Sequence, residues 1–323
     1  MKLSNFPIMN ITTCISTTVA VIANNLGLNK PLDLIVADKN DLLYFNLLVY
    51  NILVSKYGGV MDLKNIECST HYFLHLNEIV FDNFDSNDKI LSEFKKSISK
   101  YRTSKYVVDI FNLNSIQILN FDGDKTKYYS LIFLAIPFAL KIDNKQLMIK
   151  KLSKFISEFT NSKEHQLSVI MCALFINYAL AGISTNLWLS NIENDLKDIG
   201  KNNVEFKDIE EYLDYLKNYN ELNFRGEKFI EKEIDFFIHE RNKTFIKNHV
   251  KNGTKLLTEN PLEQVLLIYD TICRNNGNWE KLVLYGITNF NDNTSIGIIL
   301  GIIYEIIFST KRVNKNLIKR FSF

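Results

Sequence analysis

The sequence has few of the residues that break or turn a chain. Only four prolines (Pro7, Pro31, Pro137 and Pro261) and twelve glycines occur among its 323 residues. An all-β protein of this length needs many tight turns, and glycine and proline supply most of them. Their scarcity argues against such a fold and predicts that helices dominate.

Paired cysteines and a net charge of one sign are also absent. The four cysteines lie far apart with no Cys-x-x-Cys spacing, so neither a zinc ribbon nor a dithiol redox motif is predicted. The 38 basic residues are balanced by 36 acidic ones, which leaves a net charge of +2. A nucleic-acid-binding surface of the usual strongly basic kind is therefore not expected.

No apolar run is long and pure enough to span a membrane. The stretch from Ile8 to Leu28 is interrupted by eight threonine, asparagine and serine residues, and the run from Ser295 to Ser309 is short and contains Glu305. Such a run is typical of a buried core helix. We expect no membrane partner and an intracellular, cytoplasmic protein.

Apolar residues recur at helical spacing along most of the chain. The pattern predicts one compact, all-α, multi-helix domain over residues 31–323, preceded by an N-terminal extension over residues 1–30. The charged region 205–250 is also amphipathic, and its helices are expected to present solvated faces. The main predicted helices are one opening at Pro31, one from Ser69 to the polar stretch at Asp82, and Lys89–Ser104, Leu131–Ile142, Asn144–Phe159, Ser168–Ala181, Thr185–Ile199, Pro261–Cys273, Trp279–Tyr285 and Ser295–Phe308.

One C-terminal stretch has a pattern with chemical meaning. A polar loop, Asp292-Asn293-Thr294-Ser295, precedes an apolar helix in which Gly297 and Gly301 lie four residues apart. This arrangement resembles the signature Gly-Asp-x-Asp-Thr/Ser of the ADP-ribosylglycohydrolase family, closest to its arginine-specific type. The resemblance implies an all-α fold that removes ADP-ribose from protein side chains with two magnesium ions. It places Asp292 and Thr294 at the two acidic positions and Ser295 at the hydroxyl position.

Outlines of the other family motifs follow in the same order along the chain. The segment Leu34–Asn46 is similar to the family's first motif and keeps Asp41. The segment Ser69-Thr70-His71-Tyr72 resembles its Ser-Asp-Asp-Thr, which places Thr70 and His71 at acidic positions.

Two further outlines lie in the middle of the chain. Tyr128–Leu140 is similar to the family's Gly-Asn-Gly-Ala-x-Met-Arg-x-x-Pro segment, with Tyr128 and Tyr129 in place of its glycine and asparagine. Lys163–Gln166 resembles the family's His-x-His-Pro, with one histidine kept as His165. By resemblance, the cleft positions are thus Ser69, Thr70, His71, Tyr128, Tyr129, His165, Asp292, Thr294 and Ser295.

The departures from the family pattern remove negative charge. Magnesium takes oxygen ligands, mostly carboxylates, and a histidine cannot replace an aspartate in that role. Asp292 is the only carboxylate left at the acidic positions, and it would be a weak metal ligand by itself. We therefore expect no cofactor and a degenerate magnesium site. This favours a pseudoenzyme that binds or regulates, with ADP-ribose or an ADP-ribosylated protein as its partner.

Two other interpretations remain open at this point. An active magnesium-dependent hydrolase would require a different register, in which Glu67, Asp122 or Asp124 supplies the missing acid. A structural or assembly protein would use the helical scaffold alone, and the sequence does not give its oligomeric state.

The candidate residues also have simpler explanations. His165 fits the start of a surface helix as well as a cleft. Asp292 and Ser295 could cap the last helix. Tyr128 and Tyr129 could stack on an adenine or fill an unused pocket.

Overall fold

The computed structural model describes residues 79–101, 131–158, 160–202, 209–225, 228–230, 261–275, 277–282 and 293–308. Within them the chain is all-α, as predicted. A two-stranded antiparallel hairpin of four residues, β1 (Phe224–Arg225) and β2 (Lys228–Phe229), is added. The helices are α1 (Asn87–Tyr101), α2 (Ala135–Lys141), α3 (Lys145–Ser157), α4 (Lys163–Leu180), α5 (Trp188–Asn202), α6 (Glu210–Asn223), α7 (Pro261–Asn275), α8 (Trp279–Leu282) and α9 (Asn293–Phe308), with 3-10 turns at Leu131–Leu134 and Thr185–Leu187.

Most predicted helix bounds agree with the structure, but α4 begins five residues earlier than predicted. The reason is its N-cap, since Ser162 Oγ accepts a hydrogen bond from the backbone N–H of His165 at 3.4 Å. The apolar periodicity starts only at Leu167, which is why the pattern alone predicted a start at Ser168.

A glycine ends α4. Gly182 has φ +67°, a conformation that residues with a Cβ rarely adopt. Its N–H donates to the carbonyl of Ala179 at 3.0 Å, and the N–H of Ile183 donates to that of Tyr178 at 3.0 Å. These two bonds form a Schellman motif, which satisfies the last carbonyls of the helix.

Helix α4 lies at the centre of the structure. It packs against α2, α3, α5, α7, α9 and the 3-10 turn before α2. A run of aromatic rings fills the space between α4, α5 and α7: Phe175 stacks on Trp188 with centroids 5.4 Å apart and on Tyr269 at 5.6 Å. One hydrophobic core therefore joins residues from 79 to 304.

The described parts of the chain do not cover every prediction. The extension 1–30, the helix opening at Pro31 and most of the helix from Ser69 lie outside them. Residues 79–82 are helical, in agreement with the predicted end near Asp82, and Ile79 and Val80 are buried. None of the described helices is long and apolar enough to cross a bilayer.

Candidate functional site

His165 is the one predicted cleft residue whose side chain the structure describes. It lies in the first turn of α4 and is buried, so the expectation of a surface helix start is wrong. Its Nδ1 atom lies 3.0 Å from Ser162 Oγ, and the same hydroxyl lies 2.8 Å from Glu164 Oε2. The connecting backbone is fixed by Gln166, whose Nε2 donates to the carbonyl of Thr160 at 2.7 Å.

The chemistry of Ser162, Glu164 and His165 depends on which of its two neighbours receives the single hydroxyl proton of Ser162. A carboxylate only accepts hydrogen bonds, so Ser162 donates its proton to Glu164. Nδ1 of His165 must then carry its own proton and donate to Ser162. With this tautomer the imidazole does not withdraw a proton from Ser162, so the arrangement differs from that of an activated serine nucleophile.

Burial lowers the pKa of His165 below its ordinary value, and the nearby charge of Glu164 opposes that shift without cancelling it. The helix N-terminus acts in the same direction as burial, because its partial positive charge disfavours an imidazolium. His165 is therefore neutral at pH 7.

Three tyrosines on α6 face carboxylates on two other helices. Tyr212, Tyr215 and Tyr219 are spaced by three and four residues, which places them on one face. Tyr215 donates to Glu263 Oε1 at 3.3 Å and Tyr219 to Asp270 Oδ1 at 2.7 Å, both on α7.

All three phenols are kept protonated. Burial, followed by the charges of Glu164 and Glu211, raises the pKa of Tyr212 to about 12. Burial followed by the charges of Glu263 and Asp270 raises the pKa values of Tyr215 and Tyr219 further. The tyrosines are therefore hydrogen-bond donors to carboxylates and not bases.

Asp270 lies at the centre of a buried polar network. Arg274, one turn later on α7, donates through Nε to Asp270 Oδ1 at 2.7 Å and through Nη2 to Asn223 Oδ1 at 3.0 Å. The guanidinium also lies 4.5 Å from the centroid of the Phe229 ring. These contacts satisfy a buried charge pair, which by itself indicates a structural role.

A second buried carboxylate is satisfied in the same way. Asp195 on α5 accepts hydrogen bonds from Lys145 at the start of α3 and from Tyr178 on α4. Burial and the bonded carboxylate raise the pKa of Tyr178 above its ordinary value. The three groups join three helices, which indicates a structural role.

Among the predicted cleft residues, His165, Thr294 and Ser295 are the ones that lie within the described ranges. Thr294 and Ser295 lie in the first turn of α9, which begins at Asn293, so Ser295 lies inside that helix and is not its N-cap. Ser69, Thr70, His71, Tyr128, Tyr129 and Asp292 lie outside the described residues. Trp188 and Trp279 are buried.

No group of three or more histidine, cysteine, aspartate or glutamate side chains in the described ranges is arranged to hold a metal ion. A scan of protein-family models and a search of curated proteins found no match to this chain.

The tyrosine–carboxylate contacts were missed in the sequence, although part of the signal is present. The spacing of Asp270 and Arg274 by four residues is that of a helical ion pair. The three tyrosines of α6 recur at helical spacing and could have indicated a buried face. Nothing in the sequence pairs Tyr178 with Asp195, since that contact depends on how α4 and α5 pack.

Proposed function

We propose that this chain is a non-catalytic, ADP-ribosylglycohydrolase-like helical protein that binds ADP-ribose or an ADP-ribosylated protein. The observation that carries the proposal is the replacement of acids at the family's metal-binding positions. Thr70, His71 and Thr294 stand where the family pattern has acidic residues, while the motifs keep their order along the chain.

The chemistry of magnesium supports the loss of catalysis. Two divalent ions bring four positive charges into one cleft, and carboxylates must compensate most of them. With Asp292 as the single acid, the paired site lacks the charge it needs. Polarisation of the ribose or activation of a water by such a pair is then lost.

The all-α architecture and the place of His165 support the fold part of the proposal. The motif that resembles His-x-His-Pro falls at the start of α4, the central helix, and is followed by a buried, small-residue stretch around Ala173. Asp292, before the first residue of α9, is the acid proposed to retain contact with a ligand.

The experiment combines an activity assay with a binding assay. Peptides carrying ADP-ribosyl-arginine or ADP-ribosyl-serine are incubated with the protein and Mg²⁺, and no ADP-ribose release above the blank is expected. ADP-ribose at millimolar concentration should raise the melting temperature equally with Mg²⁺ and with a chelator. Asp292→Ala should reduce this shift, whereas Asp214→Asn, at an exposed position of α6, should not.

The outcomes separate the alternatives. Release of ADP-ribose would overturn the non-catalytic assignment in favour of a magnesium-dependent hydrolase. If the ligand produces no shift at all, the binding assignment is wrong.

A structural or assembly protein is the second candidate, and one observation favours it. The buried carboxylates Asp195 and Asp270 are each held by two side chains of the same chain. A buried carboxylate that accepts hydrogen bonds from side chains of neighbouring helices joins those helices and is not available to a ligand. This candidate predicts neither hydrolysis nor a thermal shift.

A further inference from the structure

Helix α6 is attached to the structure differently from its neighbours. Of its fourteen residues only Leu216, Tyr219 and Asn223 are buried. Its other contacts with neighbouring helices include hydrogen bonds at partly exposed positions, among them Asn220 Nδ2 to Glu193 Oε1 on α5 at 3.2 Å. Water can replace such bonds, whereas it cannot replace apolar contacts.

The tyrosine face of α6 lies across the beginnings of two core helices. Tyr212 lies beside Glu164 in the first turn of α4, and Tyr215 bonds Glu263 in the first turn of α7. Release of α6 would therefore uncover the N-terminal turns of both helices, including the turn that holds His165.

The carboxylates bound by α6 keep partners when it leaves. Glu164 also accepts the hydroxyl of Ser162 at 2.8 Å, and Asp270 also accepts Nε of Arg274 at 2.7 Å. Glu263 remains in the first turn of α7, where the helix dipole favours a negative charge. Opening thus avoids the large cost of a buried charge without a partner.

The C-terminal end of α6 is held in place by the β-hairpin that follows it. The hairpin that follows it rests on α7, with Phe224 and Tyr269 centroids 6.3 Å apart and Arg274 against Phe229. The hairpin can stay in place while the helix before it moves, which places a hinge near Asn223.

We propose that α6 is a strap that swings away from the N-terminal turns of α4 and α7 about its C-terminal end while the core stays folded. The apolar surface that the swing exposes belongs to the buried Ile209, Leu216 and Tyr219 and to three half-buried residues that pack against the core, Tyr212, Leu213 and Tyr215. The inference stands apart from the ADP-ribose proposal, since it depends only on how α6 is held.

Native-state proteolysis tests the strap with an internal control. Lys217 on α6 and Lys150 on α3 are both exposed, and trypsin cuts within a helix only after that helix opens locally. Initial rates of cleavage after each lysine are measured by mass spectrometry on the full chain, before a tenth of it is cut. We expect cleavage after Lys217 to be at least about tenfold faster, because cleavage follows the population of the open form.

Tyrosine variants show whether the phenol bonds control the opening. Tyr219→Phe and the milder Tyr215→Phe should each accelerate cleavage after Lys217 by about three- to tenfold, the effect of one lost hydrogen bond, while cleavage after Lys150, which requires unfolding of the core, stays slower in each variant. The matched control, Asp214→Asn, should change neither rate. Equal cleavage at the two lysines in any of these proteins, or no acceleration after Lys217 in both tyrosine variants, would overturn the proposal.

Discussion

Helices α4 and α6 belong to one core but are held in opposite ways. Of the eighteen residues of α4, only Lys163, Glu164, Asn177 and Leu180 are not buried. In α6, by contrast, most residues are not buried and remain in contact with solvent. Helix α4 is fixed by apolar burial on most of its surface, whereas α6 packs one face against the core and adds hydrogen bonds to charged groups.

The comparison shows why the two helices should respond to different changes. Each Å² of apolar surface removed from water is worth roughly 25 cal/mol, so a helix buried on all sides gains most of its stability from packing. A hydrogen bond between side chains contributes only about 1 kcal/mol net, because water competes for both partners. Truncation in the core should thus cost more than the loss of any one contact of α6.

The largest effect is expected for Phe175→Ala on α4. The ring is fully buried and stacks on Trp188 and Tyr269, so its removal leaves a cavity. We expect a loss of about 3 to 5 kcal/mol in the free energy of unfolding, measured by urea denaturation. Leu147→Ala, at an exposed position of α3, should change it by no more than about 0.5 kcal/mol. Equal effects of the two variants would contradict the central role of α4.

A somewhat smaller loss is expected for Asp270→Asn on α7. The change leaves the buried guanidinium of Arg274 without its counter-charge, although the amide oxygen can still accept the hydrogen bonds of Tyr219 and Arg274. The free energy of unfolding should fall by roughly 3 kcal/mol, which is the lower end of the range expected when one partner of a buried ion pair is removed. Asp214→Asn serves as the control, since that carboxylate is exposed. A neutral result for Asp270→Asn would mean that the pair contributes nothing to stability.

Tyr219→Phe should have a moderate effect. It removes one hydrogen bond to Asp270 while the carboxylate keeps Arg274, so the loss should be about 1 kcal/mol. Tyr215→Phe, with a longer bond at 3.3 Å and a half-buried ring, should cost less. The free energies of unfolding of both variants by urea denaturation check this order. If neither variant loses stability, the apolar rings, and not their hydroxyl groups, hold α6.

The smallest effect is expected from the titration of His165. Because the folded pKa lies below the ordinary 6.5, the unfolded chain takes up the proton first as the pH falls. The contribution of neutral His165 is therefore present above pH 6.5 and is lost as the pH falls from 6.5 through the folded pKa.

The variant His165→Asn separates this effect from the titration of the carboxylates. Its melting temperature should fall less steeply than that of the wild type below pH 6.5, while the two curves run parallel above it. Curves that are parallel over the whole range would show that His165 titrates as in the unfolded chain.

The sequence predicted the helices correctly where apolar residues recur at helical spacing. It did not predict hydrogen bonds between side chains of different helices. The all-α class and most helix bounds followed from the scarcity of turn residues and from the spacing of apolar side chains. The start of α4 was misplaced because the cap Ser162 lies before the first apolar residue. The contacts of Tyr219 with Asp270 and of Tyr178 with Asp195 depend on helix packing, which periodicity does not specify. The family resemblance remains a prediction, since most of its motif residues lie outside the described ranges.

Native-state hydrogen exchange across a series of denaturant concentrations tests the difference between α4 and α6 most directly. We expect the amides of α6 to exchange through an opening that depends weakly on denaturant, and to exchange together with those of α4 only near the unfolding midpoint. If the amides of both helices exchange with one free energy and one denaturant dependence from the lowest concentration, α6 opens only together with α4 and does not move as a separate strap.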